Sequence, residues 1–244
     1  VNLALTLATA RRILTQLRHD PRTVVMLILV PSLLMVLLRY VLNSPRLFNA
    51  TAPALLGVFP FLIMFLVTSI TTLRERTTAT LERLMTLPIG RLDLLFGYAL
   101  AFGGLAVAQV AVATGISLAW LDLDIRGSLW LLLLIAVLDA VLGMALGLFV
   151  SAFARTEFQA IQFMPVFVLP QILLCGLFAA RDSMGWLLHW LSNVLPLSYA
   201  VEALGRVTGS STVDVTLVRD LLVVAGCALL ALVLGAATLR RRTP

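Results

Sequence analysis

Lysine is absent. All 18 basic residues of the 244-residue chain are Arg. No P-loop can therefore be read in this sequence, because its Lys is what reaches the nucleotide phosphates. A Lys Schiff base is excluded on the same ground. Cysteine and histidine are scarce, with two of each, too few for a metal cluster or a disulfide framework. Cys175 and Cys227 lie in apolar runs, where a buried free thiol is the ordinary state. Charge is sparse too: 12% of residues are charged, against about 25% in a typical globular chain. No HExxH, no Ser/His/Asp set and no paired membrane carboxylates can be assembled, which argues against an enzyme.

What the chain has instead is apolar length. Hydrophobic residues make up 61% and the mean hydropathy is +1.04, which excludes disorder and a water-soluble domain. A bilayer core about 30 Å thick needs about 20 apolar residues of helix. Six stretches qualify: Thr23–Leu42, Ala54–Leu73, Leu94–Leu121, Leu129–Phe153, Phe158–Ala180 and Leu217–Leu239. The runs are continuous rather than alternating, so helices are expected and not a β-barrel. Placing the N-terminus inside puts 12 Arg and five acids on the cytoplasmic side, and six Arg and six acids outside. The positive-inside rule favours that orientation, with both termini cytoplasmic. The basic balance is then a topology signal, and no nucleic-acid partner is required.

Residues 1–22 read as an interfacial helix rather than a cleaved leader, since four Arg precede a full-length span. Leu3, Leu7, Ala10, Leu14 and Leu17 share one face, with Thr9, Arg12, Gln16 and His19 opposite. Residues 74–91 form the most polar stretch, expected as a cytoplasmic loop with a short helix over Thr80–Met85 ended by Pro88. From composition alone it is a solvated loop; the sharper reading is a docking helix. Residues 181–216 hold two apolar clusters too short to span, expected as re-entrant or interfacial helices, with Trp186, Trp190 and Tyr199 at headgroup depth. Asp139, Gly143 and Gly147 are spaced by four on one face of the fourth span. Helix packing explains them more simply than an ion path. The Asn49-Ala50-Thr51 glycosylation match is treated as chance because it abuts the membrane.

Taken together, these segments resemble the permease subunits of ABC-2-type ATP-binding-cassette transporters, in particular small drug-exporter-like ones. The resemblance rests on Arg18-His19-Asp20-Pro21-Arg22 with Pro31 in the first span. It continues in Arg74-Glu75-Arg76, Ala79-Thr80-Leu81-Glu82-Arg83-Leu84, Pro88-Ile89 and Arg91. A third part is Leu174-Cys175-Gly176-Leu177-Phe178, followed by Pro196-Leu197-Ser198-Tyr199-Ala200-Val201-Glu202. Ala79 stands where the family has Gly, and no Pro lies near Ala180.

The resemblance implies an all-α, six-helix transmembrane permease domain over 1–244; the all-Arg usage and Ala/Leu/Val bias suggest a high-GC bacterium, and with it a bacterial inner membrane. The resemblance also implies a second permease subunit, identical or related, and a separate cytoplasmic ATPase. ATP and Mg would sit on that ATPase, with no cofactor on this chain. Arg74, Glu75, Arg76, Thr80, Leu81, Glu82, Arg83, Leu84 and Pro88 would couple to it. Gly176, Pro196, Tyr199 and Glu202 would form the outer segment. The cargo would be an amphipathic drug, lipid or polyketide-like molecule moving outward. The competing class is an ion-coupled carrier or channel using Asp139. An intramembrane enzyme and a non-transporting assembly subunit are weaker alternatives.

Overall fold

The computed structural model describes residues 2–77, 90–210 and 212–238. Among them every regular element is helical. The helices are α1 (Leu3–Arg18), α2 (Pro21–Leu42), α3 (Pro45–Thr77), α4 (Arg91–Trp120), α5 (Leu129–Val150), α6 (Glu157–Leu174), α7 (Trp186–Val194), α8 (Pro196–Gly209) and α9 (Val215–Thr238), with a 3-10 turn at Arg181–Ser183. Six of these, α2 to α6 and α9, are long and apolar enough to cross a membrane.

Local chemistry starts and stops them. Asn2 caps α1 by accepting from the Ala4 amide. Asp20 caps α2 through the Thr23 amide, with Pro21 in the first turn. Thr156 caps α6 through the Gln159 amide. Asn43 closes α2 in the left-handed region (φ 45°), and Pro45 opens α3 two residues later. Gly176, at φ +97°, turns the chain after α6, a conformation that favours a residue without Cβ.

Two spans differ from the sequence-based bounds. The second begins nine residues earlier than expected and runs on to Thr77, so Arg74, Glu75 and Arg76 belong to a helix end and not to a loop. Pro53 and Pro60 are accommodated inside it, as neighbouring helices allow in a bundle. The fifth is shorter, stopping at Leu174 before the Gly176 turn.

α3 and α5 form the centre. Gly143 and Gly147 of α5 lie directly against the backbone of Phe61 and Phe65 of α3, where a Cβ would collide with the carbonyls. One turn away, a Cβ on Gly57 would meet Asp139 Oδ2 at 3.0 Å. The register 57/139, 61/143 and 65/147 steps by four on both helices, so α3 and α5 run parallel with their backbones in close approach. α9 packs on α5, α1 on α4, and α8 fits between α3, α5 and α9.

α1 docks on the bundle along one side and leaves most of its leucines outward. Thr6, Thr9, Ala10, Ile13 and Leu17 are buried, while Leu3, Leu7 and Leu14 are exposed. Thr9, expected on the polar side, sits against Gly97 of α4. The Thr6 and Thr9 hydroxyls donate back to the carbonyls of Asn2 and Leu5 at 3.1 and 2.9 Å, so neither carries an unmet hydrogen bond into the contact.

Candidate functional site: the two ends of the bundle

One end gathers α1, the C-terminus of α3 and the start of α4 and α6. Arg12 of α1 reaches Glu75 of α3 at 3.4 Å. The next residue up, Arg74, forks onto Glu157 of α6, Nε to Oε1 3.0 Å and Nη2 to Oε2 3.3 Å. Asp93 of α4 accepts from the Asn2 amide at 2.6 Å and from the Gly90 amide at 3.2 Å. Both described edges of the segment 78–89 are therefore tied down, Thr77 through α3 and Gly90 through Asp93. Thr80, Leu81, Glu82, Arg83, Leu84 and Pro88, and the side chain of Arg76, lie outside the described residues. Arg12, Asp93 and Glu157 were not singled out from sequence. Their tertiary partners are 63 to 91 residues away, and only the Gly90–Asp93 contact at the start of α4 is local.

The opposite end holds α7 and α8. The connection 181–216 does contain two short helices, as its apolar clusters indicate. α8 is the deeper one, burying Leu197, Ser198, Ala200, Val201, Ala203, Leu204 and Val207. α7 leaves Trp186 and Trp190 outward. Tyr199 does not join them. Its ring is half-buried beneath two guanidiniums, Arg181 at 5.3 Å and Arg219 at 5.9 Å from the centroid, an arrangement that favours cation over ring face. Its hydroxyl donates to the Asn193 carbonyl at 2.7 Å.

Arg181 is the hub. It donates to Ser192 Oγ at 3.1 Å, to Glu202 Oε2 at 2.6 Å and to Asn193 Oδ1. Glu202 also receives Arg206 at 2.6 Å, and Arg206 continues to Asp214 at 3.1 Å. The Glu202 hydrogen bond raises the Arg206 guanidinium further above its already high value. Asp214 is held below the usual carboxylate range by the Leu217 amide first, with Arg206 beside it. Of the four outer residues expected from sequence, Gly176, Tyr199 and Glu202 line one cavity of about 990 Å³, and Pro196 instead supplies the first turn of α8.

Asp139 lies elsewhere, fully buried at mid-span, with neither oxygen hydrogen-bonded among the described residues. It is not one of the residues lining that cavity. Its neighbours include Gly57 and the Leu204 side chain that shares the Gly57 surface.

The sequence model described as "ABC-2 type transporter" matches residues 4–207, spanning α1 to α8. The chain belongs to the ABC-2 type transporter family. It is a multi-pass membrane protein of that family, with six apolar helices. The "Probable multidrug ABC transporter permease YbhS" of Escherichia coli (strain K12) is 27% identical over 171 residues, covering 70% of this chain and 45% of that relative. "ABC transporter G family member 20" of Dictyostelium discoideum is 29% identical over 153 residues, covering 63% and 21%. The "Probable multidrug ABC transporter permease YbhR" of Escherichia coli (strain K12) is 28% identical over 142 residues, covering 58% and 38%. The matched region thus spans less than half the length of these relatives.

Proposed function

We propose that this chain is the permease subunit of an ATP-driven exporter, moving an amphipathic drug-like, lipid or polyketide-like molecule outward. The observation that carries the reading is the continuity of α3. One unbroken helix runs from the ion-paired end beside segment 78–89 into the most buried span of the bundle. A displacement at Thr77 is therefore a displacement of Phe61 and Phe65, and through the glycine contacts it loads α5. Interiors packed this closely transmit rather than absorb such shifts.

The power source is a separate cytoplasmic ATPase carrying ATP and Mg. No P-loop can be read in these 244 residues, so the ATP-binding groups lie outside them. The ATPase meets residues 74–91, with Leu81, Leu84 and Glu82 at the contact. ATP moves the permease only by binding its two states with different affinity, a bias that the docked segment passes to α3. The distribution of Arg supports placing the α1 end on the cytoplasmic side, and the membrane in this reading is a bacterial inner membrane.

A second permease subunit completes the pathway. α6 supports this: it is the least apolar and least buried span, and it leaves Gln162, Pro165 and Pro170 exposed. Lipid solvates an amide and kinked backbone poorly, whereas a neighbouring helix can satisfy both. The test is gentle extraction of the tagged chain. Co-purification of a P-loop ATPase, lost on Glu82→Arg while insertion persists, supports the reading. An extract with no ATPase, from a chain that still transports, contradicts it.

A further inference from the structure

The cavity of about 990 Å³ at the α8 end is graded from charged to apolar. Asp124, Arg126 and Asp182 line it, are exposed, and form no ion pair among the described residues. The other charges lining it are committed: Arg181 and Glu202 to each other, and Arg219 to Asp220 at 2.8 Å. Ala54, Cys175 and Val201 line it too and are buried. Ala54 lies nine residues into α3, about 13 Å below the helix start at 1.5 Å per residue. Exposed Trp186 and Trp190 on the neighbouring α7 favour headgroup depth, which would set the charged mouth there and the Ala54 side toward the apolar layer. Its volume suits a medium-sized organic ligand, for which about 300–1,000 Å³ is usual.

We propose that this cavity binds a zwitterionic amphipath with a phosphoethanolamine head. Arg126 takes the phosphate, the carboxylates of Asp124 and Asp182 take the primary ammonium, and the hydrocarbon points toward Ala54 and Val201. Free charges of both signs select such a head over a purely anionic one, which the two carboxylates repel. The inference rests on membrane residence and not on the transport proposed above. Two sources share this chemistry, a resident membrane lipid and a passing amphipath.

Native mass spectrometry of the purified full chain separates them. A phosphatidylethanolamine carried through purification marks a resident lipid. A chain that emerges empty but binds added phosphatidylethanolamine about tenfold more tightly than phosphatidylglycerol of the same acyl chains, a difference of the size expected from charged hydrogen bonds, marks a site for a passing molecule. In both cases Arg126→Gln with Asp182→Asn removes the preference, and Arg22→Gln at the opposite end leaves it intact. Equal retention of the two lipids, or a preference that survives the Arg126/Asp182 substitutions in a chain of unchanged melting temperature, overturns the proposal.

Discussion

Arg12 on the N-terminal helix and Glu75 at the end of α3 pair at 3.4 Å, with their side chains 27% and 10% exposed. The pair joins a surface helix to the central helix at the place where α3 leaves the bundle. Arg74 and Glu157 do the same for α6 from the adjacent residue, in a more exposed setting. The end of α3 is held from two directions, so its position follows those of α1 and α6.

The first expectation concerns that pair. Glu75 is buried and Arg12 only partly exposed, so removing one partner strands a desolvated charge and costs more than the roughly 1 kcal/mol of an exposed pair. Arg12→Ala and Glu75→Gln are each expected to lower permease-stimulated ATP hydrolysis in the reconstituted complex. The double variant is expected to be no worse than the poorer single. Fully additive losses would show that the two residues act separately.

The glycine contacts make a sharper expectation. Gly143→Val and Gly147→Val place atoms on the carbonyls of Phe61 and Phe65. Overpacking of this kind costs about 1–3 kcal/mol or more, and backbone cannot yield as a flexible side chain does. Gly104→Ala is the control, because nothing lies within 4 Å of its Cβ position. Thermal unfolding in detergent should fall clearly for the first two and stay unchanged for the control. Wild-type melting of Gly143→Val contradicts the parallel α3–α5 register.

The outer pair of helices depends on Arg181. Its side chain is only 13% exposed and it donates to Ser192, Glu202 and Asn193 at once. Arg181→Gln is expected to weaken the local fold by about 2 kcal/mol, the scale of hydrogen bonds to charged groups. Arg181→Lys should not rescue it, because an ammonium cannot reproduce the fork. Hydrogen exchange over Trp186–Val194 reads the effect. Rescue by Lys would mean that charge alone suffices.

Acid should loosen the start of α9. Asp214 accepts from the Leu217 amide at 2.9 Å and pairs with Arg206, which holds its carboxyl below the usual 3.8. A depressed value means that the contribution is fully present above pH 3.8 and is lost as pH falls through the lowered value. A carbon-detected titration of Asp214 should show its midpoint below 3.8. Asp214→Asn, still able to cap, should abolish the acid step in Leu217 exchange. A midpoint at or above the usual value removes the basis for this expectation.

The six spans are legible in the sequence because long apolar runs have one physical solution in a bilayer. The small-residue face at Gly143 and Gly147 is legible too, through its spacing. The first turns of α3 are not: Pro45, Arg46, Asn49 and Pro53 read as a connection, yet Pro45 opens the helix and the bundle absorbs Pro53. The docking side of α1 is not legible, because Thr6 and Thr9 satisfy their own hydroxyls and Thr9 sits on Gly97 of α4. Tyr199 reads as an interfacial anchor, and only the fold brings Arg181 and Arg219 over its ring. The ion pairs at both ends join residues far apart in sequence, so periodicity carries no trace of them. Glu82 and its neighbours lie outside the described residues, and their role rests on the family and on where α3 ends.

The central claim is that a partner's ATP, and not an ion gradient, drives this permease through residues 74–91. The most direct measurement is uptake of an amphipathic fluorescent dye into inverted membrane vesicles, with ATP supplied or withheld and with the proton gradient present or collapsed. The account predicts uptake that requires ATP, survives collapse of the gradient, is abolished by Glu82→Arg and persists in Asp139→Asn. Uptake that follows the gradient without ATP and disappears in Asp139→Asn would contradict it.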